Sequence, residues 1–443
     1  MTSIIVEGNT PLIGSVTVSG SKNSAIKLIY AAMFSNEDVV LENVPHISMI
    51  EEELDIIRSV GGTAQWVGKN TLLLNGSTIE SYKIPFKLAK KYRTTFLFTG
   101  VLLYRFGKAY IPKIDSTSYK VSPINRLLET WDNLGIIYVE DDNYYMLSNE
   151  NLKSSMINFK LPTNLGTAHA LIISACLHGD TIINGVSQDP EIDELISFLS
   201  SMGVTITRFE PTKIKITGTN IFKGVTWVVS PDKTEVVTYA VVTLITNGNV
   251  LIKGVHRESL TAFSYFLMKI GAKFEFDDDG LKIWNSGEKL SPTSANISAY
   301  PGLVSDWQSL LTLLLCKSSG ESFIQDLVYT DRFDYIKDLN RMGAKIDLLK
   351  PSQVGKTFST QDDSYEQLKE EPSTVIKIVG PTRLKAEKLD IMDMRFGATL
   401  LLAALSAEGK SYISSFDKIE NWFEDIVEKL KDLGAKIRYV STD

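Results

Sequence analysis

Apolar residues at positions 25, 28, 29, 32 and 33 recur at helical spacing after the dipeptide Gly20-Ser21. They predict a helix opening at Lys22 with Ser21 as its N-cap. The run from Asp38 to Val44 predicts a strand and Ser48 to Ser59 a second helix. Ala64–Val67 and Thr71–Leu74 then predict two further strands. Between the second helix and those strands stands Val60-Gly61-Gly62, an apolar residue followed by a glycine where a helix is expected to end in a left-handed residue. That phrase returns at Leu134-Gly135, Met202-Gly203, Ile270-Gly271, Met342-Gly343 and Leu433-Gly434. Gly61 to Gly135 is 74 residues, and the later steps are 68, 68, 72 and 91. The period is too long for a short solenoid and too regular for chance. Each copy therefore reads as a whole α/β unit of helix, strand, helix, strand, strand, with a further strand before it.

The other first helices open near Arg93-Thr94-Thr95, Asn164-Leu165-Gly166, Asp232-Lys233-Thr234, Asp306-Trp307-Gln308 and Met394-Arg395-Phe396. They are apolar on every side, as in Ala398–Leu405. A helix of that kind belongs inside a domain, covered by sheet. Three units around a bundle of buried helices make one lobe, and six make two. The crossovers fall near Gly20–Lys22 and Val228–Lys233, giving one lobe over 22–229 and a second from 1–21 together with 230–443.

Composition narrows the classes. At 443 residues and 44% apolar composition the chain can fill sizeable cores. It has no run of eighteen apolar residues, and its start reads as a strand rather than a signal peptide. Two cysteines, Cys176 and Cys316, sit in apolar segments, which points to buried free thiols, a reducing compartment and a cytoplasmic location. Net charge of −7 argues against a nucleic-acid partner. The four histidines lack metal-ligand spacing, so no metal is expected.

Against that background the charges at the helix starts stand out: Lys22, Arg93, Asp232, Asp306, and Asp393 with Arg395. Aspartates there can be ordinary caps, but a cation at a helix N-terminus opposes the helix dipole. Free N–H groups and local cations together suit an anion. If the starts in the two lobes face one another, they form a cleft for a polyanionic ligand, and closure of the lobes on that ligand is expected.

These residues, with Ser19-Gly20-Ser21-Lys22-Asn23, Arg105-Phe106-Gly107, Asp189-Pro190-Glu191-Ile192, Pro231–Glu235, Ser305-Asp306-Trp307-Gln308, Asp331-Arg332-Phe333 and Met342-Gly343-Ala344, resemble the enolpyruvyl transferases over nearly the whole chain. Within that family the chain looks most like the branch whose acceptor is UDP-N-acetylglucosamine. The resemblance implies a two-lobed, inside-out α/β barrel of six α/β repeats. It also implies transfer of the enolpyruvyl group of phosphoenolpyruvate to a sugar hydroxyl, with release of phosphate and no cofactor. Lys22, Asp115, Asp306 and Arg395 then match catalytic positions, with Asp306 the base and Asp115 the acid. Asn23, Arg93, Lys120, Pro123, Thr163, Asn164, Leu165, Val328, Arg332, Asp393 and Lys418 match substrate-contacting ones.

Several positions depart from the family pattern. Asp115 stands where the mobile loop usually carries a cysteine, so a thiol-directed epoxide such as fosfomycin should find no nucleophile. Lys120 and Lys418 replace arginines, which keeps charge but loses bidentate geometry. Pro162-Thr163-Asn164-Leu165-Gly166 replaces a segment that usually opens with a lysine. Two other functions stay open at this point: transfer to a different nucleotide or sugar acceptor, and binding of a nucleotide sugar without turnover.

Overall fold

The computed structural model describes residues 2–114, 124–361 and 370–440. The chain forms two compact units, one of Gly20–Ser230 and one of Met1–Ser19 with Pro231–Asp443. Each has its own hydrophobic core.

In the Gly20–Ser230 unit the buried helices are Lys22–Ala32, the Arg93–Phe98 3-10 turn running into Thr99–Phe106, and Asn164–Ser174. The Arg93 turn packs on both other helices. In the other unit they are Lys233–Ile245, the Ser305–Trp307 3-10 turn running into Gln308–Leu315, and Met394–Ser406; these three pack on one another. Every residue of Lys233–Ile245 is buried, as its all-round apolar sequence requires. Two of the six starts thus open as 3-10 turns, which tighten a first turn before the α-helix takes over.

Sheets cover the helices in a repeated pattern. In the strand order 156–163, 180–186, 213–217, 205–210 the first pair is parallel and the others antiparallel. The same order of pairings recurs around 249–253, 320–326 and 39–42. Among the described residues the sheet of 108–112, 144–148 and 137–140 has three strands, with a single bridge from Lys83 to Tyr110 along its open side.

At the crossovers the strand that precedes each helix pairs within the unit the chain is leaving. The strand before Lys22, Ile13–Thr17, does not join the sheet of its own repeat but pairs in parallel with Asn249–Lys253. Likewise Thr226–Val228, before Lys233, pairs with Val39–Glu42. The chain changes units just after each of these strands, so each completes the sheet of the unit it is leaving. The sixth repeat is closed from the other end of the chain. Ser3–Glu7 lies between Lys410–Ser414 and Lys436–Val440, antiparallel to both.

All six repeated glycines have positive φ: Gly61 93°, Gly135 76°, Gly203 114°, Gly271 73°, Gly343 101° and Gly434 99°. This is the region other residues enter only with strain, and it turns each second helix back into the next strand. Cys316 is buried and Cys176 half-buried rather than fully so; both are unpaired, and burial pushes both thiols up to about 12. No helix among the described residues is long and apolar enough to cross a membrane.

Candidate active site

In the unit that holds both termini, the first turns of all three buried helices line one depression of about 450 Å³, partly open to solvent. Its walls include Thr234, Ser305, Asp306, Arg332, Arg395 and Thr399. Three sequence-predicted residues, Asp306, Arg332 and Arg395, therefore share one wall.

Each start is built differently. Asp232 is a true N-cap: its Oδ1 accepts from Thr234 N at 2.8 Å and from Glu235 N at 3.4 Å. Asp393 caps its helix as well, accepting from Arg395 N at 2.9 Å, and it also receives the Arg395 guanidinium. Nε lies 2.9 Å from both carboxylate oxygens and Nη2 bonds to Oδ2. Burial would raise the Asp393 carboxyl, but the side chain and backbone N–H of Arg395 outweigh it and hold it below its ordinary value. Asp306 stands inside its 3-10 turn, one residue past the start, and the two N-cap positions there are held by Val304 and Trp307, neither of which caps with its side chain. Ordinary capping thus accounts for Asp232 and half of Asp393, and not for Asp306.

Two further cations come from a loop and from the short helix Asp417–Glu420. The Arg332 guanidinium carbon stacks 3.2 Å from the centroid of the Tyr329 ring. The turn below it is held by Asp326, whose Oδ1 accepts from Val328 N at 2.8 Å and Tyr329 N at 2.9 Å. Lys418 Nζ donates to the carbonyls of Ile391 at 2.7 Å and Met392 at 3.3 Å, the two residues leading into Asp393. Ser309 and Thr399 hydroxyls, 2.7 Å apart, tie the Gln308 and Met394 helices together at the same wall.

The remaining predicted residues stand at helix starts of the Gly20–Ser230 unit. Lys22 is the first residue of its helix and only 2% exposed. Ser21 Oγ caps that helix, accepting from Ser24 N at 3.2 Å. Asn23 is half-buried, with its carbonyl accepting from Lys27 Nζ at 2.7 Å. Half-buried Arg93 opens the 3-10 turn, and the next residue, Thr94, donates its hydroxyl to Glu53. Glu53 is fully buried and also accepts from Tyr30 OH at 2.5 Å. Burial pushes its carboxyl up to about 7 against those two donors. Thr163 caps the third helix, accepting from Gly166 N at 3.3 Å, followed by half-buried Asn164 and Leu165. Asp115, Lys120 and Pro123 lie outside the described residues.

Sequence reasoning missed two kinds of residue. Lys160 lies exposed on strand Met156–Thr163, three residues before the Thr163 cap, and the sequence reading did not single it out. Glu53 and Asp326 are buried supports that each receive a side chain distant in sequence, from Thr94 and Tyr30 and from Gln308, and those pairings leave no local signal. Among the described residues no group of three histidine, cysteine or acidic side chains could hold a metal ion.

Comparison with known proteins adds chemistry to this geometry. Residues 6–430 match the family described as EPSP synthase (3-phosphoshikimate 1-carboxyvinyltransferase). The chain is 30% identical over 445 residues to the UDP-N-acetylglucosamine 1-carboxyvinyltransferase of Pelagibacter ubique, covering 100% of both. It is also 30% identical over 440 residues to UDP-N-acetylglucosamine 1-carboxyvinyltransferase 1 of Legionella pneumophila, covering 98% of this chain and 82% of the other. In fold it is similar to the enolpyruvyl transferase NikO from Streptomyces tendae, with a TM-score of 0.86 at 22% identity over all of both chains. An EPSP synthase from Acinetobacter baumannii gives a TM-score of 0.74 at 15% identity, again over all of both chains.

Proposed function

The chain belongs to the EPSP synthase family of enolpyruvyl transferases, and on that premise we propose that it transfers the enolpyruvyl group of phosphoenolpyruvate to a hydroxyl of UDP-N-acetylglucosamine, releasing phosphate, in the synthesis of peptidoglycan precursors. The observation that carries this reading is the shared wall of Asp306, Arg332 and Arg395, where a carboxylate with no capping duty stands beside two guanidinium groups.

The chemistry has two steps. The acceptor oxygen forms a bond to C2 of phosphoenolpyruvate while its proton passes to Asp306 and C3 takes a proton from Asp115. C3 then gives up a proton, the double bond re-forms, and the C2–O bond to phosphate breaks. Arg332 and Arg395 suit the phosphate and carboxylate charges, and their fixed positions limit reorganisation during the reaction. Lys22, at a helix start, is assigned to phosphoenolpyruvate as well. Arg93, Asn23, Thr163, Asn164, Leu165 and Val328 are assigned to the substrates, as are Lys120 and Pro123. Asp393 and Lys418 are assigned to the substrates too, and Lys418 also holds the backbone ahead of Asp393 through its two carbonyl contacts. With a carboxyl in place of a thiol at position 115, fosfomycin should not inhibit. Two unpaired thiols fit a cytoplasmic location.

The test is phosphate release from phosphoenolpyruvate with UDP-N-acetylglucosamine and, separately, with other nucleotide acceptors. Release with the sugar nucleotide, lost in Asp115→Ala, supports the reading and the acid assignment. A second reading, transfer to a different acceptor, is favoured by the start at Thr163, which caps itself and carries no cation in its first turn. Release with another acceptor alone would establish it. Silence with every acceptor, despite measurable binding, would mean a protein that binds without turnover.

A further inference from the structure

Gln308 belongs to the Ser305–Gln308 motif, yet no proposed catalytic role uses it. It is 1% exposed, and both ends of its amide are engaged. Nε2 donates to Asp326 Oδ2 at 3.2 Å, and Oε1 accepts from Tyr335 OH at 2.8 Å. The same tyrosine hydroxyl lies 3.0 Å from Thr312 Oγ1, one turn further along the Gln308 helix. Asp326 in turn receives Val328 N and Tyr329 N on its other oxygen. Tyr329 carries the Arg332 guanidinium on its ring face. An unbroken chain of contacts therefore runs from the residue two places after Asp306, through a 2%-exposed carboxylate, to the turn that presents Val328 and Arg332.

We propose that Asp326 and Gln308 are positioning residues that hold the Asp306 turn and the Arg332 loop in one fixed arrangement. The proposal rests on the assignment of Asp306 and Arg332 to the reaction. With Tyr335 OH donating to Gln308 Oε1, the N–H end of the amide faces Asp326, and an amide donor is the neutral group that can meet a buried carboxylate there. Burial pushes Asp326 up to about 6, while the N–H groups of Tyr329 and Val328, the Arg332 charge and Gln308 hold it back. At neutral pH it is therefore the ionised acceptor that these donors require. Supports of this kind, acting through a second group, typically change activity by about 10- to 100-fold when removed.

The experiment reverses the donor and acceptor. Gln308→Glu sets a second carboxylate against Asp326, and we expect kcat/KM for phosphoenolpyruvate to fall roughly 10- to 100-fold with KM raised. Asp326→Asn alone should cost only about threefold, because the Gln308 amide can turn over and still bond to both neighbours. In the double variant Gln308→Glu/Asp326→Asn, the new amide donates to the new carboxylate, and kcat/KM should return to within about threefold of wild type. A merely structural role would lower the active fraction, and hence kcat, leaving KM alone and showing no rescue. Wild-type kinetics in Gln308→Glu, or no recovery in the double variant, overturns the proposal. Should the wild-type protein release no phosphate with any acceptor, the functional reading falls by itself. Hydrogen exchange of the backbone over 305–309 and 327–333 then decides the coupling. Faster exchange of both segments in Gln308→Glu, restored in the double variant, supports it, and unchanged exchange overturns it.

Discussion

Two helix starts, one in each unit, are built on the same plan with different materials. The Arg93 turn and the Ser305 turn both open as 3-10 and continue as α-helix. Each leans on a buried carboxylate from another element, and each support includes a buried tyrosine. Glu53, under the Arg93 turn, receives two hydroxyls, from Thr94 and Tyr30. Asp326, near the Ser305 turn, receives two backbone N–H groups and an amide. Burial dominates at both and raises both carboxyls. Burial carries Glu53 from 4.5 to about 7 and Asp326 from 3.8 to about 6. Asp326 also has a guanidinium nearby, whereas the neighbouring charge at Glu53 is the like-charged Glu52. Aspartate starts from the lower ordinary value, so the lower end point at Asp326 reflects residue type, while the donors that oppose burial differ between the two sites.

The largest effect that would test this contrast lies at the residues being braced. Asp306→Asn should lower kcat by about 10²- to 10⁴-fold with the melting temperature nearly unchanged, as expected for loss of a general base. Arg93→Ala should instead raise KM for the acceptor with a smaller change in kcat. Steady-state kinetics separates the two, and an equal fall in kcat would erase the distinction between the starts.

Next comes the pH dependence of stability. The folded-state value of Glu53 lies above its unfolded one, so the folded protein binds the extra proton between about pH 4.5 and 7. That contribution is fully present below 4.5 and lost as pH rises through 7, at most about 3 kcal/mol. Asp326 acts in the same direction over a lower window, from 3.8 to about 6. Glu53→Gln removes the first share. Its melting temperature should gain on wild type as pH rises from 5 to 8, and calorimetry showing a constant difference would refute this.

Smaller changes are expected from the two tyrosines. Tyr30→Phe takes one of two donors from Glu53, and Tyr335→Phe leaves Gln308 Oε1 unmet; each should destabilise by about 1–3 kcal/mol in denaturant unfolding. Only Tyr30→Phe should push the titration of its neighbouring acid further up. The smallest effect belongs to the repeated glycines. A Cβ at Gly271 meets nothing within 4 Å, so Gly271→Ala should cost only the strain of its φ, about 1 kcal/mol. At Gly61 a Cβ would lie 2.7 Å from Thr78 O, so Gly61→Ala should cost more. Equal melting shifts for the two would show that φ alone governs the repeat glycine.

How much was legible follows from the range of each interaction. The helix starts could be located because a polar residue before an apolar run is a local signal, and Asn164 and Met394 do open helices where the pattern places them. The 3-10 openings at Arg93 and Ser305 could not, since a tightened first turn leaves the same composition. Nor could the supports: Tyr30, Thr94 and Gln308 reach their acids across 23, 41 and 18 residues. Helical spacing puts Glu53 on the stripe of Ile50, Leu54 and Ile57, unlike half-buried Glu51 and Glu52, but it does not name the donors that meet it there.

The sequence by itself determined the six-fold repeat, its glycine punctuation and the buried character of the six helices, because each depends on spacing and backbone freedom within one stretch of chain. Tertiary structure alone decided that Ile13–Thr17 and Thr226–Val228 complete sheets of other repeats, and that Ser3–Glu7 closes the last one. It also decided which donors meet the buried acids. Edge hydrogen bonds and buried charges must be satisfied by whatever the fold brings near, and sequence spacing does not record that proximity.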